Sequence, residues 1–367
     1  MKITHVLAAS VSVVAMLSST IASAQSMDEL IAGAMEEGML TTIALPHDWC
    51  NYGGIIESFK AKYPFLEVNE LSPDASSAEE LEAVRANIGN TGPQAPDVLD
   101  VGLAFGPQAA AEGLIQPYMV STWDEIPDAI KDPEGMWYGA YYGVMAFGVN
   151  TDLVENVPAD WADLLKPEYA NTFALSGDPR ASNQAILGVM SAGMARGGAP
   201  GADSGTAGLE FFAELNAAGN FVPVGGAAGT IAQGQTPIVA AWDYNLLAWR
   251  DGMAGNPPME VVIPSTASLA GVYVQAISAH APHPNAAKLW MEHLFSNEGQ
   301  LGYLSGYCSV ARQTALNAAG VIPQDLLDRL PDQEPYARAV FPTVEEQGAH
   351  KDVVTTQWDA VVGANVQ

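Results

Sequence analysis

The hydrophobic pattern is most informative at residues 137–150, which read WYGAYYGVMAFGVN. Aromatic residues open the stretch, and the run from Val144 to Val149 carries no charge, as expected for a strand buried on both faces. Turn residues lie on either side, DPEG at 132–135 and NTD at 150–152. We therefore predict a buried strand that passes between two bodies of the chain, with any ligand beside it.

Shorter strand and helix patterns alternate along the rest of the chain. The predicted strands lie at 40–45, 65–71, 97–101, 173–175, 237–242, 261–263 and 269–278, and helices lie between most of them. Ser77 is a candidate N-cap for the helix predicted at 77–88, with Glu80 in its first turn. The strand at 269–278 is predicted to be a second crossing between the two bodies, and a third is expected near 313–320. The alternation predicts an α/β fold with doubly wound sheets.

Composition narrows the class of partner. The chain is 49% hydrophobic and 15% charged, which is typical of a globular protein, and 367 residues suggest two domains. Its net charge of −28 arises from 42 acidic and 14 basic residues. Nucleic acid and anionic membrane surfaces would be repelled, whereas a cationic solute would be attracted. Most of this charge is expected to be a solvated acidic surface.

Residues 1–24 have the pattern of a secretory signal peptide. Lys2 precedes an apolar run from Val6 to Leu17, and Ala22-Ser23-Ala24 forms a small-residue cleavage site. Cleavage is predicted after Ala24. No later apolar run is long enough for a transmembrane helix, so a secreted, soluble chain is expected.

Cys50 and Cys308 are the two cysteines of the chain. Secretion brings them to an oxidising compartment, where a matched pair often forms a disulfide. We predict a Cys50–Cys308 bridge, and two buried free thiols are the alternative.

Motifs for catalysis are absent from the sequence. It contains no GxSxG elbow, no HExxH, no P-loop and no GxGxxG at the end of a strand. The six histidines show no metal-ligand spacing, and Tyr141 and Tyr142, being adjacent in a strand, cannot both face one iron ion. We therefore predict no catalytic residues, no metal and no cofactor. A secreted enzyme is the alternative of another class.

Several motifs resemble the periplasmic solute-binding proteins of ABC importers, in particular the spermidine/putrescine-binding and iron(III)-binding branch. They are DWCNY at 48–52, EGLIQPY at 112–118, YYGVMAFGVNTDLV at 141–154, VAAWDYN at 239–245 and APHPNAAKLWMEHLFSNEGQ at 281–300. The resemblance implies a monomeric, periplasmic protein of two α/β lobes with the type II fold, joined by hinge crossings. It also implies a small-molecule ligand and an inner-membrane ABC permease as partners. The expected lobes are 25–143 plus 272–313, and 144–271 plus 314–367.

The polyamine-binding members wrap an amine in aromatic rings and hold its ammonium ends with carboxylates, and a cation over a ring gains roughly 0.5–2 kcal/mol. Carried over by position, this pattern gives rings at Trp49, Tyr52, Trp242 and Tyr307, an acid at Asp178, and Cys50 in place of a hydroxyl residue. Four further residues bring the candidate ligand-binding residues to ten: Asp243 could supply a replacement carboxylate, Tyr244 and Tyr273 would shape the second wall with Trp242, and Arg180 belongs to the anionic alternative. Trp49, Tyr52 and Tyr307 are expected to stack on the solute, and Asp178 and Asp243 to hold positive charge.

Three positions depart from the polyamine-binding pattern. Ala181 replaces an expected acid, Gly271 replaces a Trp, and Tyr273 replaces the Asp that anchors the amine. A widened or reshaped pocket for a small amine or quaternary ammonium is therefore predicted in place of a full polyamine site.

An anionic ligand is the competing hypothesis. Arg180 in DPRAS, with Ser182 at a helix start, could bind an organophosphonate or phosphate ester, and iron(III) is a further alternative. An aminoalkylphosphonate would suit both charges. A structural salt bridge between Arg180 and Asp178 would leave the amine hypothesis in place.

Overall fold

The computed structural model describes residues 26–331 and 334–367. The predicted signal peptide lies outside the described residues. None of the helices in these ranges has the length and apolar character needed to span a bilayer.

The described residues form ten β-strands and fourteen α-helices. The strands are β1 (Met39–Ile43), β2 (Glu67–Leu71), β3 (Val98–Gly102), β4 (Ile115–Gln116), β5 (Tyr138–Asn150), β6 (Phe173–Leu175), β7 (Ile238–Trp242), β8 (Met259–Val262), β9 (Ala270–Ser278) and β10 (Ser309–Val310). The helices are α1 (Met27–Glu37), α2 (Tyr52–Lys62), α3 (Ser77–Ala86), α4 (Phe105–Ala111), α5 (Asn183–Ala195), α6 (Ala202–Ala217), α7 (Ala228–Ala232), α8 (Asp243–Met253), α9 (Pro284–Leu294), α10 (Asn297–Ser305), α11 (Gln313–Ala319), α12 (Gln324–Arg329), α13 (Glu334–Ala337) and α14 (Val344–Val361).

The predicted crossing strand is confirmed as β5, which belongs to both lobes. Residues Tyr138 to Val144 pair antiparallel with β9, and from Met145 onward the partners are β7 and β8. The resulting sheet has the order β3-β9-β5-β7-β6, with β4 beside β9 and β10 beside the first half of β5. An uncharged run suits this position because all but one of the strand's residues are buried.

Helices cover both halves of this sheet. In the first lobe α1 packs on α9 and α2 packs on α10, next to the parallel pair β1 and β2. In the second lobe α5, α6 and α14 pack together around an aromatic core that includes Trp161, Phe212 and Trp358. Strand β9, which is predicted to be the second crossing, follows β8 in the chain and pairs with β3, β4 and the first half of β5. Helices α11, α12 and α13 follow β10 and precede α14.

Helix α3 begins at Ser77 as predicted, but its N-cap differs from the prediction by one residue. Ser76, not Ser77, caps the helix, and its hydroxyl and the Glu79 carboxylate form a capping box. Both Ser76/Glu79 and Ser77/Glu80 fit the capping pattern, so the sequence alone does not separate them. In the folded protein Ser77 accepts a hydrogen bond from the Gly102 backbone N–H at 3.2 Å, and Glu80 turns inward.

The start of α2 also differs from the prediction. The helix begins at Tyr52 instead of Ile55, so Gly53 and Gly54 lie within its first turn. Tyr52 therefore leaves the loop and is buried in the first lobe.

Candidate functional site

A cavity of about 680 Å³ lies between the two lobes. Its first wall comes from the loops after β1 and β2 and from β3. Its second wall comes from the loop between β6 and α5, the residues 225–229, and α8. The cavity thus lies at the carboxyl ends of β1, β2, β6 and β7, where open α/β sheets bind ligands.

Three of the ten predicted ligand-binding residues line this cavity. They are Trp49, Asp178 and Tyr273. The other seven lie outside its walls, and these are Cys50, Tyr52, Arg180, Trp242, Asp243, Tyr244 and Tyr307.

The aromatic part of the first wall is held rigidly. Trp49 packs edge-on against Tyr273, with ring centroids 5.3 Å apart, and Tyr273 stacks on Tyr141 at 5.5 Å. The Trp49 indole N–H donates to the Tyr141 hydroxyl at 2.7 Å. Two polarised rings therefore border the cavity in fixed orientations, as a cation-binding wall requires.

The charge of the cavity is strongly one-sided. Its described lining includes six carboxylic acids and no Lys, Arg or His. The acids are Asp48, Asp74, Glu79, Glu80, Asp100 and Asp178. Asp48, Asp74 and Glu79 are exposed, whereas Glu80 and Asp100 are buried. Such a cavity concentrates cations and repels anions.

Glu80 and Asp100 form a pair. The Asp100 backbone N–H donates to Glu80 Oε2 at 2.9 Å, and the Asp100 carboxylate accepts from Tyr141 at 2.5 Å and Gln275 at 2.6 Å. Burial raises the pKa of Asp100 to about 7. Burial, together with the nearby Asp100 charge, raises the pKa of Glu80 well above its ordinary value.

Asp178 and Arg180 bind each other. The guanidinium donates to both carboxylate oxygens, at 2.9 Å and 2.7 Å, and also reaches Asp359 and Asn365 at 2.9 Å each. The charge of Asp178 on the second wall is therefore compensated. Every hydrogen bond that the structure shows for the Arg180 guanidinium is with a residue of the second lobe.

Trp242 and Asp243 lie behind the second wall. The Trp242 indole occupies the space over Gly271, where a Cβ would collide with it, so the missing bulk at Gly271 does not widen the cavity. Asp243 accepts hydrogen bonds from the Val144 backbone N–H at 2.7 Å and from the Tyr336 hydroxyl. Burial raises its pKa to about 6.

The remaining predicted residues support the first wall from behind or border it. The predicted disulfide between Cys50 and Cys308 is confirmed, with Cα atoms 5.5 Å apart. Tyr52 hydrogen-bonds to Tyr303 at 3.0 Å, and the buried Tyr244 packs edge-on against Trp49. The Tyr307 hydroxyl donates to Asp251 of α8, across to the second lobe.

Among the described residues, no group of three or more His, Cys, Asp and Glu side chains is arranged to hold a metal ion.

The sequence model of the family described as bacterial extracellular solute-binding protein matches residues 94–334. This chain belongs to that family. An uncharacterised protein of Haemophilus influenzae is 36% identical over 95 residues, which are 23% of this chain and 27% of that protein. The chain therefore matches about a quarter of the length of this relative.

Solved structures show the fold of this solute-binding protein. The periplasmic binding protein AfuA from Actinobacillus pleuropneumoniae, with fructose-6-phosphate bound, has a TM-score of 0.69 at 20% identity over 88% of this chain and 98% of that one. Iron-bound HitA from Pseudomonas aeruginosa has a TM-score of 0.62 at 16% identity, with the same coverage of both chains. A putative spermidine/putrescine ABC transporter from Listeria monocytogenes has a TM-score of 0.64 at 13% identity over 88% and 99%. The predicted two-lobed periplasmic-binding-protein fold is thus confirmed, and these relatives are binding proteins of varied ligand.

Direct contacts join the two lobes of the solute-binding protein around the cavity. The Trp249 indole N–H on α8 donates to Asp48 Oδ2 at 3.2 Å. Lys351 on α14 donates to the Gln108 side chain on α4 at 2.5 Å. With the Tyr307–Asp251 bond, three side-chain hydrogen bonds therefore join the two lobes.

The cavity residues that were not predicted from the sequence include Asp48, Glu80, Asp100 and Trp249. Asp100 carries a detectable signal, because it is a charged residue inside the otherwise uncharged strand β3. Buried carboxylic acids are rare unless they are paired or functional. Glu80 and Trp249 lie on amphipathic helices, where nothing local separates them from surface residues.

Proposed function

We propose that this protein captures a small amine-bearing solute between its two lobes in the periplasm and delivers it to an inner-membrane ABC permease. It would be exported by the signal peptide over residues 1–24 and act as a monomer without catalysis. Family membership supports the binding role, and the cavity supports the class of ligand.

The observation that carries the ligand class is the cavity's charge. Six carboxylic acids and three aromatic residues, Trp49, Trp249 and Tyr273, meet there without a basic side chain among the described lining residues. A protonated amine would gain both carboxylate contacts and the ring faces. An anion would have to approach the acids without a compensating cation.

The proposed lobes are 25–143 plus 272–313, and 144–271 plus 314–367. The change of partners along β5, between Val144 and Met145, supports the first boundary. In the proposed mechanism the solute contacts both walls only in the closed form, and so shifts the open–closed equilibrium towards closure. The permease would then recognise the closed form.

An anionic or zwitterionic solute is the second candidate. Residues 181–184 at the N-terminus of α5 line the cavity. The Ala181 and Ser182 backbone N–H groups donate to the Asp178 carbonyl, so any anion there would depend on the helix start at Asn183 and Gln184. An aminoalkylphosphonate could place its phosphonate at this helix and its ammonium at the first wall.

A thermal-shift screen of the mature protein tests the proposal. The ligands are putrescine, spermidine, choline, 2-aminoethylphosphonate, fructose 6-phosphate and ferric citrate. We expect amines to raise the melting temperature, because a ligand that binds only the folded state stabilises it in proportion to the logarithm of its concentration over Kd. A shift with fructose 6-phosphate or ferric citrate alone would contradict the amine proposal.

A further inference from the structure

Glu80 is a buried residue of the cavity wall, and only one of its two carboxylate oxygens accepts a hydrogen bond from the described residues. It lies on the inner face of α3 with Ser77, Leu81 and Val84, and only 1% of it is exposed. Its Oε2 accepts the Asp100 backbone N–H at 2.9 Å. Within the described residues, Oε1 receives no hydrogen bond.

Asp100 brings a second buried carboxyl group to the same place. It is 4% exposed and lines the cavity, and its carboxylate accepts hydrogen bonds from Gln275 and from Tyr141, with the Tyr52 hydroxyl as a further partner. A carboxylate oxygen can accept a further bond, so Asp100 also retains capacity for a ligand.

Among the described residues, no cation compensates the charge of this pair. The titratable groups that interact with it are the phenols of Tyr52, Tyr141, Tyr244, Tyr273 and Tyr303, and burial raises the pKa of each, so all five are neutral. Two buried carboxyl groups without a positive partner are costly unless one is protonated or a cation joins them. The two carboxyl groups are therefore suited to bind a cationic group of a ligand, which would stabilise their ionised form.

The opposite wall supplies another acceptor. Asn245 on α8 lines the cavity, is 2% exposed, and its Oδ1 has no hydrogen-bond partner among the described residues. Glu80, Asp100 and Asn245 thus all offer oxygen acceptors. A ligand group that satisfies them must donate hydrogen bonds as well as carry positive charge.

We infer that Glu80 and Asp100 form the binding site for a primary or secondary ammonium group. The inference rests on the proposed function and narrows it, because a quaternary ammonium carries the charge but has no N–H to donate. Choline-like solutes would therefore be excluded from this position, and protonated alkylamines would be accepted.

Binding of the ammonium group also displaces a proton. Burial raises the pKa of Asp100 to about 7 and that of Glu80 well above its ordinary value, so the empty pair is protonated more readily near neutral pH than exposed acids are. An arriving ammonium favours the ionised carboxylates, so the proton passes to the buffer. Binding of an ammonium group at this site should therefore be accompanied by net release of protons to the buffer.

Calorimetric titration of the mature protein with putrescine and with its hexamethyl bis-quaternary analogue tests the inference. The variants are Glu80→Gln and Asp100→Asn, and the matched control is Glu82→Gln, an exposed acid on the same helix that does not line the cavity. We expect Glu80→Gln to weaken putrescine binding by about 30-fold or more and Glu82→Gln by less than about threefold, because only the first removes a buried carboxylate that would pair with the ammonium group. The analogue should bind far more weakly than putrescine.

Titrations in two buffers of different ionisation enthalpy measure how many protons are released when the ligand binds. Wild-type protein should release protons on binding putrescine, and Glu80→Gln should release fewer. Melting temperatures of the free variants check folding, and Asp100→Asn provides a second variant if Glu80→Gln is unstable.

The outcomes separate the two proposals. Putrescine binding that Glu80→Gln and Asp100→Asn leave within threefold of wild type, or equal binding of the quaternary analogue, would overturn this site and leave the amine function standing. Absence of binding by every amine in the thermal screen would overturn both.

Discussion

The two walls of the cavity differ in chemistry although they belong to lobes of similar architecture. The first wall carries five acids and the rings of Trp49 and Tyr273. The second wall is built mainly from Gly, Ala, Ser, Asn and Gln, and its single acid, Asp178, is bound to Arg180. Charge recognition is therefore concentrated on one lobe.

This difference in chemistry indicates that the two walls have different roles in binding. A cation would bind first to the acidic wall, since an exposed set of like charges attracts it at a distance. The second wall, with small side chains and backbone groups, can approach closely and complete the contacts on closure. Trp249, which reaches across to Asp48, is the large side chain that the second lobe contributes to this closing contact.

The largest expected effect concerns the two tryptophans that the sequence predicts at the ligand. Trp242 is fully buried behind the second wall, so Trp242→Ala should lower the free energy of unfolding by about 3–5 kcal/mol. Trp49 is partly exposed in the cavity, so Trp49→Ala should cost less stability and weaken putrescine binding by about 3- to 30-fold. Urea denaturation and calorimetry measure the two quantities. Loss of binding at unchanged stability in Trp242→Ala would place its ring on the wall instead.

The acidic wall should also make binding depend on pH. Ionised carboxylates hold the ammonium, and Asp100 with a pKa of about 7 becomes protonated as the pH falls, so putrescine affinity should decrease. Between pH 8 and pH 6 the decrease should be about tenfold for one such group. Calorimetry across this range measures it, and Asp100→Asn should flatten the profile. An affinity that rises as the pH falls would contradict a carboxylate site.

The smallest expected effect is on the second wall. Arg180→Gln would release Asp178 from its partner, and a partly exposed ion pair contributes at most about 1 kcal/mol to stability. Putrescine affinity should stay within about threefold of wild type and should rise slightly, because a negative charge is uncovered. A loss of more than tenfold would show that Arg180 contacts the solute, in favour of the anionic hypothesis.

Much of the fold could be predicted because its signals are local. The uncharged run of β5, the alternation of strands and helices, and the pairing of two cysteines in a secreted chain each follow from nearby residues and composition. The first cavity loop was predicted at Trp49 for the same reason, since it follows β1 directly. Tyr52 was misplaced because Gly53 and Gly54 suggested a loop, whereas the helix begins before them.

The sequence by itself determined the α/β class, the crossing strand, the disulfide partners and the excess of negative charge. Tertiary structure alone decided which acids border the cavity. Ser76 and Ser77 offer two capping registers of equal local quality, and packing of Ser77 against Gly102 selects the one that turns Glu80 inward. Similarly, Trp242 fills the space above Gly271, which lies on a different strand. Both arrangements depend on contacts between residues that are far apart in the chain, and local sequence patterns do not reveal such contacts.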